Sequence, residues 1–598
     1  MSAIITHRFR KNNVQNIFDE MTRAKVMIAN CTSSGNTITT SAIPANLQTG
    51  MAIQITSGTG KLSTSTTTIV TSISSTTQFV IDPVPDTSLS SALLSFFSQY
   101  YIGIGKSDPY NSIDGSDVTP GSPVACRRTE VDTLNNLIAM QKVSVALNTG
   151  SSASQTAIYG NAGYVLPRYN WATNTYFKAW DPTDPSCLYP TTVTKGTGQY
   201  VVYPCYATYN SGSGTKVYIC TATGYESATT AATLTPPSTN ASTIGAVGSA
   251  SSDGYRWSYV SDLGLDTAQT LTAQNLTTTS GNTTSTLDSN QFFKVYRRAT
   301  TIGTSSTITA AYTTSAGAIY SARVVSGGSG YSLASNFTID GDGTTTASGV
   351  VTKIDAFGAI QTVSITTSGG GYTTGAIRFT SGPSAQAGAV ILPRISPING
   401  FGYDNVSDLP AWYAGFYANF SYDTVYPGTA DVPSTDQIRQ ISLIRNPIVS
   451  VSSSGSPITY RCLKSLTLST NSGAWIPSPG DVLEATSGVS SGARAYVDYT
   501  SVSGTNLIVY YHQNSSTFGP SNLNITPIPF SSGSTFKTYA RSSTPAYNTV
   551  VSTTSTITAT ASSQEYVAGT GEVIFVQNRV PITQAAGQSE SITIVTQF

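Results

Sequence analysis

One segment of this chain occurs twice, and the repetition restricts the fold more than any other feature. GAIYSARVVSGGSGYSLASNFTIDG begins at Gly317 and GAIQTVSITTSGGGYTTGAIRFTSG at Gly358, 41 positions later, with Tyr331 and Tyr372 in register. Alternating apolar and polar residues predict strands, and the glycines at 327, 328 and 330, then at 369 to 371, supply turn dihedrals that other residues resist. The tyrosine after each glycine cluster is expected to pack back. Two copies are too few for a free-standing solenoid, which needs about three units to bury a continuous core. The expectation is two related β units packed on each other as a small sandwich or barrel.

The rest of the chain has the same texture. Its 598 residues exceed one ordinary hydrophobic core, so several domains are expected. Fifty-one glycines, 28 prolines and 34 tyrosines among Ser/Thr-rich runs suit short strands joined by tight turns. Strand-like runs with glycine turns fill a segment from Cys31 to about Phe97 and another from about Val449 to Ala561. Two helices are expected. In RFRKNNVQNIFDEM, Val14, Ile17, Phe18 and Met21 recur at helical spacing; in TEVDTLNNLIAMQK, Val131, Leu134 and Ile138 do so behind a cap at Thr129.

Charge excludes some functions. Only 10% of the residues are charged, where about 25% is usual, and thirty basic side chains balance thirty acidic ones. A nucleic-acid partner needs a basic stripe, and HRFRK at 7–11, Arg127-Arg128 and Arg297-Arg298 are small, solvated clusters. No apolar run approaches the ~18 residues of a membrane span, and no signal peptide is recognisable, so folding in a reducing cytosol is expected. The six cysteines form no CxxC pair, which argues against zinc. In YPCYATYNSGSGTKVYIC, a two-residue turn at Gly212-Ser213 places Cys205 opposite Cys220 as neighbouring free thiols. A longer loop would shift that register and separate them.

Chemistry is sparse. YYIGIGKSDPYNSI at 100–113 contains GIGKS, but Tyr100 stands where a phosphate-binding loop needs its first glycine, and Asp108-Pro109 breaks the chain before a helix could start. Tyr101, Ile102 and Ile104 fit a short apolar strand instead. His7 and His512, the two histidines, stand in no nucleophile or metal motif and are expected to be satisfied or solvated. Asp340, Asp342 and Asp355 are the carboxylates a glycan depolymerase would use, yet Asp-Gly-Asp-Gly at 340–343 is more economically a turn with capping carboxylates. No catalytic residue, metal ligand or cofactor is assigned.

A series of blocks resembles one family. YYIGIGKSDPYN, with Ser107, Asp108, Pro109 and Tyr110, is similar to a segment ending Ser-Asp/Glu-Pro-Trp in the baseplate wedge proteins of T-even-like contractile-tailed bacteriophages, the gene product 8 type. LPRYNWATNTYFKAWDP, with Arg168 and Trp171, resembles its Arg/Trp stretch, and YVVYPCYATYNSGSGTKVYICT its hairpin. DGYRWSYV matches an Asp-Gly-Tyr-x-Trp signature through Asp253, Gly254, Tyr255 and Trp257. IRQISLIRNPI supplies Arg439, Gln440, Asn446 and Pro447, and the C-terminal GTGEVIFVQNRVPITQAAGQSE supplies Asn578, Arg579 and Pro581. Ala585 and Ala586 stand where the pattern has an acidic residue.

The resemblance implies a mainly β, multidomain protein whose discontinuous core domain, strands plus a few helices, spans 1–30, 98–310, 396–447 and 562–598. Inserted small β-sandwich or barrel domains then occupy 31–97, 311–395 and 448–561. It implies a non-enzymatic homodimer, made in the host cytoplasm and assembled into the virion's tail baseplate with other wedge proteins and fibre attachment proteins, without nucleic acid or membrane. Such a protein helps couple host contact to sheath contraction. Tyr110, Trp171, Trp180, Trp257 and Trp412 are candidate anchors, with core packing the simpler role for each. A receptor-binding fibre or adhesin with glycan-binding β domains is the alternative, and a depolymerase the third.

Overall fold

Runs of threonine, valine and isoleucine become strands, and the protein is mainly β, with many separate sheets and two closed barrels among the described residues. The computed structural model describes residues 7–597 except 23, 25, 65–66, 107–129, 145–160, 172–175, 196–197, 211–214, 224–254, 264–291, 296–315, 403, 410–412, 427, 429, 450–458, 470–475, 505, 514–527, 541–549 and 562–564. Two compact units are distinguished. One comprises Met1–Gln15, Gly163–Gly415 and Val595–Phe598, the other Asn16–Ala162 and Phe416–Ile594.

The unit of Asn16–Ala162 and Phe416–Ile594 holds both barrels. The first uses strands Val26–Ser34, Thr37–Thr39, Ala52–Lys61, Ile69–Ile73, Gln78–Asp82 and Thr87–Phe97; numbered one to six, their order around the barrel is 1-2-5-4-3-6. The second uses Lys464–Ser469, Val482–Ala485, Arg494–Ser503, Asn506–His512, Thr535–Tyr539 and Val550–Ala561 in the order 1-4-3-2-5-6. Renumbering the first barrel from its second strand turns one order into the other. The two share one neighbour pattern with the chain cut at different places.

A five-stranded sheet in the same unit runs Thr459–Arg461, Leu137–Lys142, Tyr100–Gly105, Gln437–Arg445, Glu572–Thr583. Its 137–142 strand corrects the expected second helix. The helix spans only Glu130–Asn135, and residues 137–141 are buried as an interior strand. A continuous apolar run fits a buried strand as well as a helix, and the partners on both sides of LIAMQK decide for the strand. Thr129 lies outside the described residues. The first helix forms at His7–Thr22 and buries Val14, Phe18 and Met21.

In the unit containing Gly163–Gly415, the repeat folds into two sheets whose copies interlock. Each copy makes three strands: Ile319–Ser329, Asn336–Gly341 and Ala347–Ile354, then Ile360–Thr367, Gly375–Phe379 and Ala387–Ile395. The first strand of each copy pairs with the third strand of the other, and the two middle strands pair together at Phe337↔Phe379. The copies are therefore not self-contained units laid one on the other. Exchange gives each outer strand a partner where a three-stranded copy alone would leave open edges.

The tyrosines follow the same exchange. The Tyr331 amide donates to the Gly358 carbonyl at 2.9 Å, and the Tyr372 amide to the Gly317 carbonyl at 3.1 Å. Tyr372 sits in a core with Ile319, Phe337, Ile339 and Ala347, while Tyr331 sits with Val351, Ile360 and Ile391. Gly328, Gly330, Gly369 and Gly371 all adopt positive φ, as the glycine clusters predicted.

Candidate functional site: a buried charge cluster

The GIGKS string resolves into packing and an ion cluster. Tyr100–Gly105 is a strand buried at every residue. A Cβ on Gly103 would lie 2.6 Å from Leu137 Cδ2 and 2.8 Å from Ser442 Oγ, and one on Gly105 would lie 2.9 Å from the Asn136 carbonyl oxygen. These glycines allow neighbouring strands to close on each other. Lys106, at the strand's end, is itself 8% exposed.

Its ammonium donates to Asp436 Oδ1 at 3.0 Å and Asp498 Oδ1 at 3.2 Å. The other oxygen of Asp498 is 2.7 Å from His512 Nδ1. Both aspartates are fully buried, and His512 is 2% exposed. A slip in strand pairing brings Asp498 there: Val497 pairs with Tyr511 and Tyr499 with Tyr510, so Asp498 is the extra residue of a bulge. Bulges re-aim side chains, and they gather near functional sites.

Electrostatics splits the two carboxyls. Burial pushes Asp436 up to about 7, because desolvation and the neighbouring Asp498 outweigh the attraction of Lys106. Burial opposes ionisation of Asp498 as well, but His512 and Lys106 together hold it below the usual carboxylate range. Lys106, which burial alone would lower, is raised by its two carboxylates. His512 Nε2 and Asp436 Oδ2 are buried without a hydrogen-bond partner among the described residues.

His512 and Lys106 also line a recess of about 60 Å³ with Thr435, Gln437, Arg439, Pro479, Gly480 and Tyr496. The Tyr496 ring lies against the imidazole at a centroid distance of 5.3 Å. A pocket for a drug-sized ligand measures about 300–1,000 Å³, so this recess suits a few waters or one small polar group. Nδ1–H to Asp498 leaves Nε2 as the unpartnered, buried nitrogen of a histidine–carboxylate dyad, able to accept a proton or, once protonated, to donate one.

The residues singled out from sequence fall into two groups in space. In the five-stranded sheet, the 437–445 strand lies between those at 100–105 and 572–583. Gln440 Nε2 donates to Asn578 Oδ1 at 3.1 Å. Asn446, at φ 51°, accepts from the Gln99 amide at 2.8 Å and donates to Gln48 Oε1 at 2.9 Å. Residues 579–581 face the single residue Arg439 between the pairs Ile438↔Ile582 and Gln440↔Asn578. This irregularity tolerates Pro581, which has no amide to donate. Arg579 approaches Glu590 at 3.5 Å, and Pro447 follows Asn446 out of the strand.

The second group forms an aromatic core in the other unit. Phe177, Tyr218, Tyr255, Trp257 and Tyr259 pack together with Trp171 against them, over the sheet of Tyr206–Asn210, Thr215–Ala222 and Arg256–Leu263. Arg168 Nε donates to Asn170 Oδ1 at 2.9 Å, which also accepts from Thr208 Oγ1 at 2.7 Å. Trp180 is buried, its indole donating to the Asp408 carbonyl at 2.7 Å. Trp171, Trp180 and Trp257 are thus packing residues. Ser107, Asp108, Pro109, Tyr110, Asp253, Gly254 and Trp412 lie outside the described residues.

The hairpin register places Cys205 opposite Cys220, with Tyr206↔Ile219 the adjacent pair and the Cys220 amide donating to the Cys205 carbonyl at 2.7 Å. Neither sulfur is in a disulfide; the turn at 211–214 is outside the described residues. Among the described residues, no group of three or more His, Cys, Asp or Glu is placed to hold a metal ion.

Of the carboxylates a depolymerase would use, Asp340 and Asp342 are exposed and Asp355 is half-buried, and each is engaged by its own surroundings. Asp342 accepts from the Thr373 and Thr374 amides at 2.9 Å, Asp340 pairs with Arg378, and Asp355 accepts from the Phe357 and Ala359 amides at 2.8 Å.

Sequence reading missed the charge cluster because its members are far apart in the chain. One signal existed: Asp498 interrupts the apolar run AYVDY in a strand. No protein-family model matches the chain, and no curated protein matches it.

Proposed function

We propose that this chain is a non-enzymatic structural component of a multiprotein particle. More specifically, it is a baseplate wedge protein of a contractile phage tail, working as a homodimer beside other wedge proteins and fibre attachment proteins. It helps assemble the baseplate in the virion and couple host contact to sheath contraction. In this reading 1–30, 98–310, 396–447 and 562–598 form the wedge core, and 31–97, 311–395 and 448–561 are insertions.

The observation that carries the reading is the convergence of blocks that resemble the family. Those at 100–106, 438–447 and 571–581 lie more than a hundred residues apart in sequence, yet their strands are adjacent in one sheet and bonded through Gln440 and Asn578. Blocks that carry a resemblance in sequence thus make a common piece of architecture. A chain with few charges, much buried tyrosine and broad Ser/Thr faces suits permanent burial against fixed neighbours.

A second reading, a receptor-binding fibre or adhesin, draws on the repeat region. Phe357 there is 84% exposed, and Val325, Leu333 and Val390 are exposed in the same region, apolar side chains that a docking partner could cover. Light scattering of the purified chain separates the readings. Twice the 62.5 kDa chain mass is expected of the wedge protein, whereas three times that mass favours a fibre.

A further inference from the structure

We propose that the recess beside Lys106, Arg439 and His512 is a binding site for one small carboxylate group, either a free acid or the tip of an Asp or Glu side chain from a protein partner. The site goes beyond the wedge reading and does not depend on it.

Three observations converge. First, the charged side chains lining the recess are Lys106, Arg439 and His512, all basic or able to become so; Asp436 and Asp498 contact Lys106 but are not among the lining residues. Second, His512 Nε2 is buried without a hydrogen-bond partner, on the ring edge opposite the Asp498 bond, in a side chain that lines the space. A native protein rarely leaves such an atom unsatisfied unless water or a ligand serves it. Third, a pairing slip turns Asp498 inward to fix Nδ1, so the imidazole is held in one orientation before anything binds.

Proton balance selects the ligand class. A carboxylate entering the recess accepts from Nε2–H once His512 takes one proton from solvent, so one negative charge arrives with one positive charge. With both aspartates ionised and the imidazole protonated, Lys106, Arg439 and His512 set three positive charges against the two negative charges of Asp436 and Asp498, so one carboxylate balances the set and a dianion would leave a buried charge unmatched, which is costly. Lys106 has three N–H bonds and spends two on the aspartates, leaving one for the ligand. Arg439, whose guanidinium also donates to Gln437 Oε1 at 3.0 Å, adds a fork-shaped donor at the rim. The groups around the imidazole are Asp498 at Nδ1, Tyr496 on its face, Asp436 close enough to interact with it electrostatically, and Lys106 and Arg439, which line the same recess.

The chain has two histidines, which makes the test direct. The full-length protein, labelled with carbon-13 at histidine Cε1, is titrated with sodium acetate, with sodium chloride at equal ionic strength, and with inorganic phosphate; His7→Gln identifies the His512 signal. The expected result is a saturable shift of that signal with acetate and none with chloride. Arg439→Gln should weaken binding roughly tenfold, the scale of one charged hydrogen bond, while the signal of the free protein stays in place. A capped glutamate peptide bound more tightly than acetate assigns the occupant to a protein side chain. Acetate bound equally well assigns it to a free acid, and both uphold the site. A His512 signal unmoved by acetate and peptide, or moved equally by chloride, overturns the proposal, and tighter binding of phosphate overturns its choice of a monoanion.

Discussion

The two barrels share one neighbour pattern, and their interiors differ. In the first, Ile38, Phe79, Ile81 and Phe96 fill the core, and among the described residues the buried polar side chains of 26–97 are the hydroxyls of Thr40, Ser63, Thr68 and Ser95. The second buries Leu466, Val497, Val509 and Phe536 in the same way, but it also carries Asp498 and His512, which meet Lys106 and Asp436. A closed barrel with this connectivity can therefore do without buried charge. Desolvating four ionisable groups is a poor way to gain stability, so the two barrels differ in what their interiors cost.

The largest effects should come from removing one member of either interior. Asp498→Ala leaves Lys106 and His512 without their shared carboxylate and is expected to cost about 3–5 kcal/mol in chemical denaturation. Phe79→Ala in the first barrel should cost about the same through lost packing. The contrast sharpens when the whole cluster is replaced by apolar residues of similar size: stability should then return to near wild type or exceed it. If the combined replacement is as damaging as Asp498→Ala, the cluster is structural and the distinction between the barrels fails.

The interlocked repeat should show an intermediate effect. The Tyr372 hydroxyl accepts from the Ala347 amide at 2.8 Å and donates to the Ile339 carbonyl at 3.0 Å, whereas Tyr331 accepts one longer bond from Ala389 at 3.3 Å. Tyr372→Phe is therefore expected to cost about 1–3 kcal/mol and Tyr331→Phe less, a ranking that thermal unfolding would check.

Asp436 gives the charge cluster at the second barrel a pH dependence near neutrality. Its folded value, about 7, lies above the ordinary 3.8, so its contribution to stability is complete below the ordinary value and is lost as pH rises through the folded one. Asp498 runs oppositely: its contribution is present above the ordinary value and lost as pH falls through the depressed one. The stability of Asp436→Asn relative to wild type should thus increase from about pH 5 to about pH 8. A difference that stays flat over that range would refute the burial of an ionisable Asp436. The smallest effect is expected of Asp340→Ala, at the exposed end of the Asn336–Gly341 strand, and of Asp342→Ala just after it, both of which should leave the unfolding midpoint almost unchanged.

What could be read from the sequence follows the range of the interactions. The glycines at 328, 330, 369 and 371 were legible because positive φ is a local demand that few other residues meet, and the Cys205–Cys220 register because a hairpin counts outward from its turn. LIAMQK was misread because apolar content alone does not tell a buried strand from a helix, and its strand partners at 100–105 and 459–461 are remote. Strand exchange between the repeat copies was hidden for the same reason. The cluster was the least legible, since Lys106 and His512 are unremarkable until the fold carries Asp436 and Asp498 between them.

The central functional claim is best tested on the particle itself. Gold-labelled antibody against this chain, applied to purified tails before and after contraction, should mark the baseplate in both states. Label confined to fibre tips, or absent from tails altogether, would contradict the wedge assignment.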